Sequence, residues 1–138
     1  MEGVKEAIPV TKSYKLVSRE THLESSVITI GDVTIGAGEP VIMAGPCAVE
    51  SEEQALTIAS IVKKYGAKVF RGGAFKPRTS PYAFQGLGEK GLKILDKVRR
   101  ETGLLIVTEA TDSENLVPVE KYADIIQIGA RNMQNYSL

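Results

Sequence analysis

The sequence has no surplus of charge of either sign, a single cysteine, a single histidine and no long apolar run. Each shortage closes off a class of function. Lysine plus arginine (17) balance aspartate plus glutamate (17), so nothing argues for nucleic acid or a membrane surface as partner. An anionic ligand would have to meet a local cluster of cations. No stretch is apolar enough to cross a bilayer, and Met1-Glu2-Gly3-Val4-Lys5-Glu6 lacks the apolar core of a signal peptide, which predicts a cytoplasmic protein. Cys47 alone makes no intramolecular disulfide, in keeping with a reducing compartment. His22 lies in the N-terminal arm, so neither a Cys-His pair nor a complete metal site can be recognised within the sequence. Further ligands would have to come from beyond these residues or from another subunit.

What remains, 138 residues of which 43% are apolar and 25% charged, has the proportions of one ordinary globular domain. Residues 1–24 show no sustained periodicity and read as an extended arm or linker. Val27-Ile28-Thr29-Ile30 and Val33-Thr34-Ile35 flank Gly31-Asp32, a two-residue loop between β-branched runs that predicts a β-hairpin.

After Gly38-Glu39-Pro40 the pattern changes to short apolar runs, Val41–Ala44, Lys68–Phe70, Leu104–Val107 and Ile125–Ile128, separated by helical segments. Runs apolar on both faces suit a parallel sheet covered by helices. Ser51 with Gln54 forms a capping box for a first helix, on which Ala55, Ile58, Ala59, Val62 and Tyr65 share a face, with Gly66 as its stop. A second helix is predicted over about Glu89–Thr102, with Leu92, Leu95 and Val98 inward. A third is predicted over about Ser113–Tyr122, limited by Pro118. The order hairpin, then β-α-β-α-β-α-β, fits either an open doubly wound sheet or a closed (β/α)₈ barrel. The barrel needs about 250 residues, so its second half would lie outside this sequence.

Polar residues gather just after each apolar run: Gly45-Pro46-Cys47, Arg71 with Lys76-Pro77-Arg78-Thr79, Glu109, and Ala130-Arg131-Asn132. In both architectures the carboxyl ends of parallel strands carry the active site, so these clusters are expected on one face. Arg71, Lys76, Arg78 and Arg131 would make a cationic mouth suited to phosphate groups, although most lysines and arginines are solvated surface charges. Gly72–Gly88 is long for a βα connection. Phe75, Tyr82 and Phe84 argue that it packs rather than floats. Cys47 is a metal ligand or nucleophile on one reading and a small buried hydrophobe on the other. Glu109 either contacts water or a substrate hydroxyl or orients Arg71 or Arg131 through a salt bridge.

Four ordered segments, Ala44–Ser51, Phe70–Pro81, Thr108–Thr111 and Gln127–Asn132, resemble DAHP synthases (3-deoxy-D-arabino-heptulosonate 7-phosphate synthases) of the short bacterial and archaeal type, over about residues 14–138. The resemblance implies an α/β TIM barrel, of which this chain is the N-terminal half of about four βα units preceded by the hairpin. The domain division is then an arm over 1–24 and a partial barrel with capping hairpin over 25–138. It implies condensation of phosphoenolpyruvate with erythrose 4-phosphate, with release of phosphate, at the entry to the shikimate pathway. It also implies a divalent metal ion, Mn²⁺, Fe²⁺, Co²⁺ or Zn²⁺, of which Cys47 is one ligand. By motif match Arg71, Lys76, Ala130 and Arg131 fall in the phosphoenolpyruvate site, with Lys76 and Glu109 as the catalytic residues. Pro77, Arg78 and Thr79 fall at the erythrose 4-phosphate.

Small-molecule partners and a homo-oligomer are expected. The related 3-deoxy-D-manno-octulosonate 8-phosphate synthases typically have Lys-Ala-Asn-Arg-Ser where this chain has Lys76-Pro77-Arg78-Thr79-Ser80, which favours erythrose 4-phosphate as the aldehyde. The family's histidine, glutamate and aspartate ligands belong to later strands. These residues alone are therefore expected to show little synthase activity and an apolar edge at Ile125–Ile128. The segment Thr11–Glu20 resembles the joint after a ferredoxin-like regulatory domain, which would place such a domain ahead of this start. A non-catalytic half-barrel that self-associates is the reading from a different functional class.

Overall fold

A computed structural model of the chain describes residues 2–138, which divide into two compact units, the first ending at Pro40 and the second over Val41–Leu138. In the first unit the expected arm is not simply extended. Ser18 is buried, its carbonyl accepts from Thr21 and His22 N–H (3.1 and 2.9 Å), and its own N–H donates to Lys15 (3.1 Å). These short-range bonds replace a sheet ladder and fold Lys15–His22 into turns. The hairpin follows as predicted: β1 (Ile28–Ile30) pairs antiparallel with β2 (Val33–Ile35), Ile30 facing Val33. Gly31 at its tip has φ +57°, a left-handed conformation that strains residues with a side chain.

The second unit carries β3 (Met43–Ala44), α1 (Glu52–Lys64), β4 (Val69–Arg71), α2 (Glu89–Thr102), β5 (Leu105–Ala110), α3 (Ser113–Tyr122) and β6 (Ile125–Ile128). The four strands are parallel and lie in chain order, β3-β4-β5-β6. All three helices contribute to one core, built on Phe70, Ile106 and Ala110 of the strands with Ala55, Leu92, Leu95, Val98 and Val119 of the helices. A doubly wound sheet needs a reversal of strand order and helices on both faces. Neither occurs among the described residues, and four parallel strands in chain order with their helices on one face are the arrangement of consecutive βα units of a (β/α)₈ barrel.

The helix limits follow from local chemistry. Ser51 Oγ accepts from Gln54 N–H (3.0 Å), and the Gln54 amide oxygen accepts from Glu50 N–H (3.0 Å). The reciprocal bond of the capping box thus lands one residue early. Gly103, at φ +73°, ends α2 in the left-handed conformation that suits glycine. Tyr65 departs from expectation: it caps α1 where the chain turns away, so its side chain leaves the inward face and is 76% exposed. Helix α3 has the predicted limits, with Pro118 inside it. The carbonyl that the missing Pro118 N–H would have bonded belongs to the exposed Glu114 in the first turn, where water can satisfy it. Strand β5 runs beyond the predicted Val107 to Ala110, which puts Glu109 within the strand, and β3 keeps only the last two residues of its apolar run.

An ion-pair clamp closes the amino ends of the strands. Asp124, just before β6, accepts from the buried Ile106 N–H (2.7 Å) and from Arg99 of α2 (3.0 Å), while Asp124 N–H donates to Ile106 (3.0 Å). Among the described residues β6 pairs on one side only, and Ile126 and Ile128 are exposed, which gives the apolar edge expected of this strand.

Candidate active site

Parallel pairing sets which side chains share a face. Val69 pairs with Leu105, Arg71 with Val107, Val107 with Ile125 and Glu109 with Gln127. Paired residues in a sheet point the same way and alternate with their neighbours. Arg71, Glu109 and Gln127 therefore project from the face opposite the helix-covered Phe70, Ile106 and Ala110, at the carboxyl ends of their strands.

There the side chains form a connected set. Arg71 donates from Nε to Gln127 Oε1 (3.3 Å) and from Nη1 to the Cys47 carbonyl (2.9 Å). Gln127 Nε2 approaches Glu109 Oε2 (3.5 Å), and the other Glu109 oxygen pairs with Arg131 Nη2. The Glu109 side chain is 7% exposed and that of Arg131 52%, so the carboxylate is enclosed while its partner keeps one side to solvent. A Cβ on Gly129 would fall on the Glu109 carboxylate, so the absence of a side chain there lets β6 pass close by. Gly45 serves similarly after β3: its φ of +157° and its contact with the Arg71 backbone leave no space for a Cβ.

Lys76 folds back onto the same turn. Its ammonium donates to the Cys47 carbonyl (3.0 Å) and lies 3.2 Å from Cys47 Sγ. This hydrogen bond, then the lysine charge, and more weakly the Arg71 charge, hold the thiol below its ordinary pKa; slight desolvation opposes them. Cys47 is exposed, which excludes the small buried hydrophobe among its two readings. Gly73 again has no room for a Cβ, which would meet the Cys47 carbonyl at 2.8 Å and Lys76 Cδ at 2.9 Å.

The long loop is pinched at its neck, with Lys76 N–H donating to Gln85 (2.8 Å) and Gly88 N–H to Ala74 (3.0 Å). Ala74 N–H in turn donates to the buried Thr108 hydroxyl (3.4 Å). Phe75 packs against the core, as its aromatic character required. Tyr82 does not: it is 98% exposed at the tip, and Phe84 is also exposed. Beyond the pinch the loop is held by the Gln85 amide, which donates to the Ser80 and Ala83 carbonyls (3.0 and 2.9 Å), rather than by burial of Tyr82 or Phe84.

Of the residues singled out from sequence, the structure thus brings Cys47, Arg71 and Lys76 together, and joins Glu109 and Arg131 to them through Gln127. Pro77 lines a cleft with Lys76, Gln85, Thr111, Asp112 and Asn115. Arg78 and Thr79 are exposed on the loop, and Ala130 opens a short 3₁₀ turn after β6. Gln127 was missed. Its signal was a lone amide in an otherwise apolar strand, read as part of the run rather than against it.

No group of three or more His, Cys, Asp or Glu side chains converges on a metal-binding geometry among the described residues. Cys47 supplies one soft, exposed donor and no second ligand faces it, so these residues do not make a metal site by themselves. No helix among the described residues is long and apolar enough to cross a membrane.

Comparison with known proteins agrees with this geometry. Residues 9–138 match the model of the DAHP synthetase I family. The phospho-2-dehydro-3-deoxyheptonate aldolase of Thermotoga maritima is 54% identical over 138 residues, all of this chain and 41% of that protein. A crystal structure of the Thermotoga maritima aldolase, also called DAHP synthase, superposes with a TM-score of 0.86 at 53% identity, covering 94% of this chain and 37% of that one. The 2-dehydro-3-deoxyphosphooctonate aldolase of Syntrophotalea carbinolica is more distant, 40% identical over 75% of this chain and 40% of its own length. The chain therefore spans about two-fifths of the length of these relatives.

Proposed function

The chain belongs to the DAHP synthetase I family, and on that premise we propose that the protein acts as a DAHP synthase, joining phosphoenolpyruvate to erythrose 4-phosphate with loss of inorganic phosphate. The observation that carries the reading is the cluster at the strand ends. Arg131 pairs with the enclosed Glu109 carboxylate, Gln127 links that carboxylate to Arg71, and Arg71 and Lys76 meet at the Cys47 carbonyl, so three cations lie along one strand-end network in a chain of zero net charge. Such an arrangement fits a small substrate bearing both a carboxylate and a phosphate. Arg71 and Arg131 bind its anionic groups, with the backbone at Ala130 beside them. Lys76 contributes a point charge near the reacting end, and Glu109 stands by the reacting carbons while it fixes Arg131. In the condensation C3 of phosphoenolpyruvate attacks the aldehyde carbon, water adds at C2, and phosphate leaves with cleavage of the C–O bond.

Pro77, Arg78 and Thr79 are assigned to the aldehyde phosphate. Arg78 makes no side-chain hydrogen bond or ion pair among the described residues, so its guanidinium is open to a ligand. Cys47 is assigned as one ligand of a divalent metal (Mn²⁺, Fe²⁺, Co²⁺ or Zn²⁺), the others lying outside these residues. The Lys76 ammonium beside it, which holds the thiol below its ordinary pKa, supports that role. The protein is placed in the cytoplasm, as a homo-oligomer.

The test is phosphate release from phosphoenolpyruvate in the presence of Mn²⁺, with erythrose 4-phosphate and arabinose 5-phosphate compared as aldehydes. Erythrose-dependent release is expected where the metal ligands that lie outside these residues are present, and little release from residues 1–138 alone. Release that requires arabinose 5-phosphate would reassign the protein to the octulosonate aldolases, and binding of neither sugar phosphate nor phosphoenolpyruvate would leave a scaffold without the synthase reaction.

A further inference from the structure

Among the described residues, Gln127 is the one side chain bonded to both Arg71 and Glu109. Its amide faces a guanidinium on one side and a carboxylate on the other, Oε1 accepting from Arg71 Nε at 3.3 Å and Nε2 lying 3.5 Å from Glu109 Oε2. An amide supplies an acceptor and donors on one planar group with no net charge. A carboxylate in its place would confront Glu109, a cation would confront Arg71, and an aliphatic side chain would leave both partners without it.

The consequence for Arg71 is directional. A guanidinium has five N–H donors in a fixed fork. Gln127 engages Nε and the Cys47 carbonyl engages Nη1, while Nη2 makes no hydrogen bond among the described residues. Two fixed corners of a planar group determine the third, so the Nη2 edge is presented to a ligand. On the other side Gln127 reaches the Glu109 oxygen that Arg131 does not hold. The register supports this placement, since Gln127 pairs with Glu109 across β5 and β6 and so shares its face.

We infer that Gln127 is a positioning residue that locks Arg71 and Glu109 into one unit, so that the anion-binding edge of Arg71 is set by β6 as well as by its own strand. The inference rests on the proposed phosphoenolpyruvate site. It adds to that site a residue that acts through Arg71 without itself carrying charge.

Calorimetric titration of the full chain with phosphoenolpyruvate tests it, using Gln127→Leu, with Gln127→Met as a second variant closer to the native length, and each in an Arg71→Lys background. A lost hydrogen bond to a charged group predicts about 10-fold weaker phosphoenolpyruvate binding in either single variant. Because the effect passes through the guanidinium, the same substitutions should change affinity by less than about 2-fold once Arg71 is lysine, the non-additivity expected of coupled residues. A purely structural role predicts equal losses in both backgrounds, and that result overturns the inference. So does unaltered affinity in the single variants when the parent protein binds, which leaves the synthase reading standing. A parent that fails to bind phosphoenolpyruvate removes the synthase reading and the inference together.

Discussion

Replacing Gly129 by alanine sets two effects of opposite sign against each other, and the structure indicates which is larger. The backbone at Gly129, φ −70° and ψ 150°, is one that alanine adopts freely. The unfolded chain therefore loses entropy and the substitution would stabilise by ~0.4–1 kcal/mol if nothing else changed. Against this, the new Cβ falls on a carboxylate oxygen of Glu109 and 3.1 Å from Arg131 Nη2, so the ion pair cannot stay where it is. A hydrogen bond between charged groups contributes about 1.5–3 kcal/mol. The half-exposure of Arg131 pulls the value down, while the enclosure of Glu109, which water cannot freely re-solvate, pulls it up. The difference is a net destabilisation of roughly 0.5–2.6 kcal/mol. Urea unfolding at neutral pH reads it directly as a lower midpoint at unchanged slope. In a Glu109→Ala background, where neither the carboxylate nor the ion pair remains, the same substitution should lose most of its effect. A Gly129→Ala protein that is more stable than the parent would mean that Glu109 swings aside without loss, and the description of a tightly held carboxylate would be wrong.

Two further outcomes follow from other contacts. The Lys76 ammonium favours the Cys47 thiolate over the thiol, so alkylation, which needs the thiolate, should in metal-free protein proceed at a lower pH than for an ordinary cysteine; Lys76→Met should move the pH–rate profile upward, and an unmoved profile would dissociate the two residues. Asp124→Ala removes the acceptor of the buried Ile106 N–H and the partner of Arg99, and should destabilise by about 3 kcal/mol, with Asp124→Asn losing less because it keeps a neutral acceptor, both measured by urea unfolding.

The elements that were legible in the sequence are those whose signals are local. Helix α2 ends at Gly103, and α1 begins at Ser51, because a left-handed stop and a side-chain cap are written in single residues. The parallel sheet was legible as a class from its apolar runs, but those runs alone did not choose between barrel and open sheet; the resemblance of the four motif segments did. That choice depends on strand order and on which face the helices cover, and both are relations between distant segments. Tyr65 shows the limit from another side. Apolar spacing says nothing about where a helix end turns away.

The site divides along the same line. That polar residues follow each strand could be read directly, and it located Cys47, Arg71, Lys76, Glu109 and Arg131 on one end of the sheet. Their pairings could not be read, because register decides them: Glu109 lies opposite Gln127, whose nearest neighbours in sequence are isoleucines. A shift of one residue in that register would turn Gln127 toward the helices, where its amide would lose both partners and Arg71 would lose its second anchor. The amide is therefore tolerable in an apolar strand only because the pairing of β6 with β5 is fixed, and Asp124 fixes it at the other end by binding the Ile106 N–H. Stability at the bottom of the sheet and orientation of the cations at its top depend on the same register. A weakened Asp124 clamp should accordingly loosen the hold of Gln127 on Arg71 as well as lower stability.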